Sequence, residues 1–316
     1  MKILTIYLLS LLISNAAFAW QLPGVGEYKF EVLTQDVYVM HGPNTEPNVA
    51  NRGFMNNPAV VVSDNGVILI DPGSTLGVGE QVLAELAKIT DKPVLAVFNT
   101  HIHGDHWLAN HAIARAYPEA RIYAHTAMKA QAGDQGLVWL DLMARLTEGL
   151  SSNTELVIPG HTLEDTAEIE IDGERFVIHA SIPAHTNTDI MIEHLNSKTV
   201  FLGDNCFRDR FGQFDTSSSI TGNIQALQRV LAEDIQFFVP GHGQSGNRDD
   251  VVKPFLNYLL LLDEVVTSGF EEELQGYEIK EANLARFSQW RKWHGFETNL
   301  GKHIDKMYLE TEANAW

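Results

Sequence analysis

Residues 98–107 read "FNTHIHGDHW", Phe98-Asn99-Thr100-His101-Ile102-His103-Gly104-Asp105-His106-Trp107. Three imidazoles and a carboxylate fall within six positions, directly after the apolar run Val94–Phe98, which predicts a buried strand. His101 and His103 are two apart in an extended segment, so both rings can point the same way. Gly104 permits a sharp turn, and Asp105 and His106 then stand where a helix begins. One pair of side chains therefore faces one cation and the next pair a second beside it. Such nitrogen and oxygen donors suit Zn²⁺ first, with iron or manganese as alternatives.

Two cations need more than four ligands, and later strand ends supply them. His185 lies in "PAHTNTD", Asp204 closes "TVFLGD", and His242 lies in "FFVPGHG". Each follows an apolar run, which is where α/β folds gather binding groups. His41, His111, His125, His161, His179, His194, His294 and His303 have no spacing partner and are assigned to structure.

Working outward, three hairpins are predicted, turning at Asp64-Asn65-Gly66, at Asp172-Gly173 and over Asn196–Lys198. Helical patterns run over Val78–Ile89, His106–Tyr117, Leu137–Leu146, Asn223–Ala232 and Val251–Val266. The order of strands and helices repeats after about residue 155, so an α/β fold is expected: two sheets face to face, each covered outside by helices. Residues 20–268 would form this domain, and 269–316 a helical appendage docked through Trp290, Trp293 and Phe296. Ala127–Ser152 reads as a helical insertion overhanging the site or as an ordinary outer helix. His41–Pro58 and Phe207–Asp215 are the expected walls. Arg208 or Arg210 could hold a substrate carboxylate, or pair with Asp209 or Asp215 at the surface.

The first residues, "MKILTIYLLSLLISNAAFA", combine Lys2, a short apolar core and the triplet Ala17-Phe18-Ala19, the pattern of a signal peptide cleaved after Ala19. The expected location is periplasmic or secreted, with no membrane span after cleavage. Loss of residues 1–19 removes Lys2 and no acid, so 22 basic residues become 21 against 41 acidic, a balance of −20. Such a surface repels nucleic acid, and a small-molecule substrate is expected. Cys206 is the single cysteine, which rules out an intramolecular disulfide. It stands two residues beyond Asp204 and is read as a small buried apolar group.

"THIHGDH", the lone His185 before Thr186, "FLGD" and "PGHG", in that order, resemble the metallo-β-lactamase superfamily over nearly the whole chain after residue 19. The resemblance implies a four-layer αββα sandwich. It implies His101, His103 and His185 on one metal, Asp105, His106 and His242 on a second, and Asp204 bridging them. Asp71 in "LIDPGS" matches an aspartate that supports the metal loop from behind. The implied chemistry is hydrolysis by a hydroxide held between two Zn²⁺, with Asp105 orienting it and shuttling its proton.

Aspartate at 204 departs from the broad-spectrum zinc β-lactamases, which have cysteine there, and matches the glyoxalase II type thioesterases. Leu108 and Ala109, where those thioesterases have paired glycines, and a tail without a basic cluster depart from the thioesterases in turn. The amino-terminal half is similar to secreted metallohydrolases of the SoxH-like group. A small ester, thioester, lactone or β-lactam is the implied substrate class. An iron-dependent sulfur dioxygenase and a non-catalytic metal-binding accessory protein remain alternatives.

Overall fold

The computed structural model describes residues 28–315, so the signal segment expected over 1–19 lies outside the described residues. The first sheet has seven strands in chain order: β1 (Glu31–Val32), β2 (Val37–Val39), β3 (Ala59–Val62), β4 (Val67–Ile70), β5 (Val94–Phe98), β6 (Arg121–His125) and β7 (His161–Leu163). It is antiparallel up to β4 and parallel from β4 to β7. The second sheet holds β8 (Glu168–Ile171), β9 (Glu174–Ala180), β10 (Ile190–His194), β11 (Thr199–Phe207) and β12 (Phe237–His242). Its hairpins are antiparallel, and β12 joins β11 in parallel.

Alternation along the strands assigns each sheet two apolar faces. Ile68, Ile70 and Phe98 point between the sheets, where they meet Phe176, Ile178, Ile192, Phe201 and Val239. Leu69 and Val97 point outward onto Val78, Val82 and Leu86 of α1 (Leu76–Leu86) and onto Ile113. Val200, Leu202 and Phe238 point outward from the second sheet onto α5 (Ile220–Leu231) and α6 (Val252–Glu271). Sheets covered on both faces need strands apolar on both faces, and all nine residues of β11 are buried. The result is the four-layer αββα sandwich with a helical carboxy-terminal region. No described helix is long and apolar enough to cross a membrane.

Three local expectations change. The helix expected over His106–Tyr117 is broken into α2 (Gly104–Trp107) and α3 (Asn110–Ala116), because the Ala109 amide turns aside to the Gly73 carbonyl at 2.9 Å. The helix expected at Leu137 begins earlier, as α4 (Thr126–Leu146), where His125 Nδ1 caps the Ala127 amide at 3.0 Å. The boundary expected at 268/269 falls inside α6. Beyond it come α7 (Gly276–Asn283), a 3-10 turn at Ser288–Trp290 and α8 (Phe296–Asn314). Ile279, Phe287, Trp290, Phe296, Leu300 and Ile304 share one core with α5, α6 and the second sheet, so the tail forms part of the outer helical layer.

Candidate metal centre

The site lies where chain segments leave the same ends of both sheets. After β5, the Thr100 amide donates to Asp71 Oδ1 at 2.8 Å and the Thr100 hydroxyl to Asp71 Oδ2 at 2.7 Å, which turns the chain into the histidine cluster. The Ile102 amide donates to Thr188 Oγ1 at 3.1 Å and the Ile190 amide to the Thr100 carbonyl at 2.9 Å. These bonds lock the His101–His103 segment of one sheet to the His185 loop of the other. Trp107, fully buried, donates from Nε1 to the Ile102 carbonyl at 2.8 Å and closes the loop from below.

Two groups of candidate ligands result. One atom each of His101, His103, His185 and Asp204 lies within 4.8 Å of the others, and so do atoms of Asp105, His106 and His242. His103 Nδ1 and His185 Nε2 are 3.1 Å apart. Asp204 turns Oδ1 toward the second group, 3.1 Å from His106 Nε2 and 3.3 Å from His242 Nε2. It turns Oδ2 toward the first, 3.5 Å from His185 Nε2 and 3.8 Å from His101 Nε2. Asp105 Oδ2 stands 3.2 Å from His242 Nε2 and 3.3 Å from His106 Nε2. Backbone packing permits this approach only through glycine. A Cβ on Gly241 would collide with Asp204 Oδ1, and Gly203, at φ 53°, lies where a Cβ would come within 2.7 Å of Thr100 Oγ1.

The far side of three of the rings is held, while His185 Nδ1 is buried without a partner. His106 Nδ1 meets Asp71 Oδ2 at 2.8 Å, His242 Nδ1 meets the Met55 carbonyl at 2.8 Å, and His101 Nδ1 meets the Thr100 hydroxyl at 3.0 Å. With those nitrogens donating, each Nε2 presents its lone pair to the cluster. His101 Nε2, His106 Nε2 and Asp204 Oδ1 are buried with no hydrogen-bond partner. Lone pairs facing one another at 3.1–3.3 Å repel unless a cation or proton lies between them. The donor set therefore fits metal ions.

The electrostatics agree. Burial drives His101 well down and His185 down to about 3, so both rings are neutral. Burial opposes a proton on His106 as well, yet the Asp204, Asp105 and Asp71 carboxylates hold its affinity well above the ordinary value, and Asp204 raises His242 in the same way. Burial also opposes charge on Asp105 and Asp204, and the neighbouring imidazoles outweigh it, holding both carboxylates well below the usual range. The pocket attracts positive charge.

All seven expected ligands thus meet at one place, with Asp71 behind them. The other expectations divide. Cys206 is buried, but its Sγ faces the Val251 carbonyl at 3.5 Å in the core under α6, away from the ligands. Register irregularities flank Gly203 in β11, so period-two alternation does not carry from Asp204 to Cys206. Burial pushes its thiol up. The Arg208 amide donates to the His242 carbonyl at 3.1 Å, and its Nη1 donates to the Gln244 and Ser245 carbonyls at 3.2 and 3.3 Å. Asp209 lies 3.9 Å from Arg208 Nε. Arg210 is buried, and Glu46 is the partner of its Nη2, at 3.4 Å.

Several contributors carry no signal in the sequence. Thr100 joins Asp71 to His101, yet a lone threonine before a histidine announces nothing. Asn57 Nδ2 bonds the Pro240 and Gly243 carbonyls at 2.9 and 2.7 Å, so the 41–58 wall fixes the end of β12 that bears His242. The α4 helix does reach over the site: the Trp139 ring lies 5.1 Å from that of His103.

A family model described as the metallo-β-lactamase superfamily matches residues 51–242. A probable metallo-hydrolase of Streptococcus pyogenes is 26% identical over 199 residues, covering 60% of this chain and 79% of that protein. Among solved structures, a metallo-β-lactamase from Pontibacter korlensis superposes with a TM-score of 0.59 at 16% identity, covering 74% of this chain and 99% of that one. A stereoselective inverting sec-alkylsulfatase from Pseudomonas sp. superposes with a TM-score of 0.65 at 17% identity, covering 90% of this chain and 50% of that one.

Proposed function

The chain belongs to the metallo-β-lactamase superfamily as a metal-dependent hydrolase, and from that premise we propose a dinuclear-zinc enzyme, working in the periplasm or outside the cell, that cleaves a small ester, thioester, lactone or β-lactam. The observation that carries the reading is Asp204, which offers one carboxylate oxygen to each of two imidazole groups. His101, His103 and His185 would hold one ion, Asp105, His106 and His242 the other, with Asp204 between. Zinc bound there would supply a water of pKa about 7 and a Lewis acid for the scissile carbonyl.

The chain's own residues do the rest. Asp105, kept ionised by His106 and His242 against the effect of burial, accepts a proton as the water oxygen bonds to the carbonyl carbon. It returns that proton to the departing oxygen, sulfur or nitrogen as the bond to the leaving group breaks. Asp71, Thr100 and the Met55 carbonyl keep three imidazoles in the tautomer that faces the reaction. Trp139, against His103, narrows the approach for water.

Metal analysis of protein from its native compartment, joined to turnover of nitrocefin, a thioester, a lactone and a phosphodiester, tests this. Near two zinc per chain with cleavage of a carbonyl substrate supports the proposal. One iron per chain with dioxygen uptake overturns it in favour of an oxygenase, and loaded metal with no turnover on any of the four overturns it in favour of a metal-binding protein. A mature amino terminus other than Trp20 would contradict the expected processing.

A further inference from the structure

We propose that His41 is a positioning residue for the metal centre and works as a latch that a proton releases: as a neutral ring it clamps the segment that follows His242, and as a cation it lets go. The consequence for turnover rests on the hydrolase reading; the latch itself does not. His41 Nε2 takes two hydrogen bonds from one residue, from the Ser245 amide at 3.1 Å and from the Ser245 hydroxyl at 2.9 Å. A backbone amide can only donate, so Nε2 carries the lone pair and the ring proton lies on Nδ1. Nδ1 is buried without a hydrogen-bond partner, and Glu31 Oε2 stands 3.4 Å from it. A second proton would go on Nε2, where one N–H would then face another across the 3.1 Å separation. The imidazolium therefore cannot keep the bond that the neutral ring makes.

Ser245 is held from its other side as well. Arg208 Nη1 donates to the Gln244 and Ser245 carbonyls at 3.2 and 3.3 Å, and the Arg208 amide donates to the His242 carbonyl at 3.1 Å. A charged His41 would bring a second cation against the same short span of chain. The charged groups that face His41 are Glu31 of β1 and Arg208 of the loop after β11, and the Glu31 side chain is 56% exposed, so water weakens its attraction. Burial, with Arg208 added to it, outweighs Glu31 and holds the proton affinity of the ring below the ordinary value. A released ring titrates near ~6.5 and the clamped ring lower, so the clamp is whole above about pH 6.5 and weakens as pH falls towards the clamped value. The neighbouring ties do not titrate: Asn57 Nδ2 bonds the Pro240 and Gly243 carbonyls, and the Asn57 amide donates to the Gly241 carbonyl at 2.9 Å. Of these ties between the 41–58 wall and the end of β12, His41 is the one that a proton cuts.

Zinc-loaded wild type, His41→Gln and His41→Leu are compared by amide hydrogen exchange from about pH 8 down to about pH 5, with protection corrected for the intrinsic pH dependence of exchange. In His41→Gln a side-chain carbonyl can accept from the Ser245 amide at every pH, and in His41→Leu nothing can. At the alkaline end the Ser245 amide of wild type and of His41→Gln should be protected about ten-fold or more over that of His41→Leu. On acidification wild type should fall to the level of His41→Leu, while His41→Gln stays level. The Gly246 amide, bonded to the Phe238 carbonyl at 3.1 Å, reports on β12 itself and should hold in all three. Over the same range kcat/KM of wild type should fall about three-fold or more beyond the fall in His41→Gln. Protection of Ser245 in wild type that does not change with pH, a loss shared equally with His41→Gln or with Gly246, or protection in His41→Leu equal to wild type at the alkaline end overturns the latch. The expected exchange with parallel kcat/KM profiles in wild type and His41→Gln upholds the latch and overturns its role in positioning. If wild type turns over no substrate, the hydrolase reading falls and the Ser245 amide decides alone.

Discussion

The ligand cluster and the loop beside it leave buried polar atoms unpartnered in opposite senses. In the cluster the idle atoms that face one another are acceptors, His101 Nε2, His106 Nε2 and Asp204 Oδ1, and a cation between them relieves them; His185 Nδ1, on the far side of its ring, is idle as well. At Arg210 they are donors, Nε and Nη1, on a guanidinium whose Nη2 meets Glu46. The first is assembled from strand ends by local turns and short hydrogen bonds. The second is assembled from behind, by helices that join the chain more than 80 residues later.

The strongest test of the cluster removes the group that serves both halves of it. Asp204→Ala should lower kcat/KM by about 10³-fold or more, with metal content falling below that of wild type by elemental analysis. Asp105→Asn should cut turnover by roughly 10²–10⁴-fold, the span of a lost acid–base group, with a smaller change in melting temperature. Equal losses of stability, metal and turnover in Asp105→Asn would make Asp105 a structural ligand instead. One step outward, Asp71→Ala frees His106 Nδ1 and the Thr100 amide together. Metal affinity, measured against a competing chelator, should weaken about 10–100-fold. Unchanged affinity would mean that the cluster does not depend on its support.

A test of the scaffold behind the loop should act on stability and leave the cluster alone. His303 joins Tyr258 Oη at 2.8 Å to the Gly212 carbonyl at 3.0 Å, so His303→Leu strands a buried hydroxyl and a carbonyl and should cost about 1–3 kcal/mol. Burial depresses the His303 pKa from 6.5 to about 4. The unfolded chain therefore takes up that proton first, and stability falls as pH drops from 6.5 towards 4, with no contribution above that window. His303→Leu should lose stability less steeply than wild type in that window in urea unfolding. Its metal affinity should stay within about two-fold of wild type, as expected for separated sites. A larger loss of metal would join the loop and the cluster into one cooperative unit.

The same division explains what could be read before the structure. Each of the seven clustered residues stands at or within a few residues of a strand end or turn signal, and strand ends are marked by where apolar runs stop. Asp71 was legible for that reason too. Arg208 and Arg210 could not be separated, because what distinguishes them is the Gln244 and Ser245 carbonyls for one and the His294 bridge for the other, contacts with no periodicity between them. The break between α2 and α3 depends on a single amide turning to Gly73, and the run of α6 through residue 268 on a core shared with α7 and α8. These are tertiary facts, and local pattern does not encode them.

Cys206 tests the boundary between the cluster and the core with the smallest expected effect. By alternation from Asp204 its sulfur would reach the metal side, and a thiolate there would be a strong ligand. The irregular stretch of β11 sends it instead toward the Val251 carbonyl, where burial disfavours the thiolate. Cys206→Ala should therefore leave metal content and turnover as they are and cost at most about 1–2 kcal/mol for a small void in the core. A thiol-specific reagent should not label the native protein and should label it fully in denaturant. Loss of metal in Cys206→Ala, or rapid native labelling slowed by added zinc, would put the sulfur in the cluster and contradict the register that keeps Asp204 facing both groups of ligands.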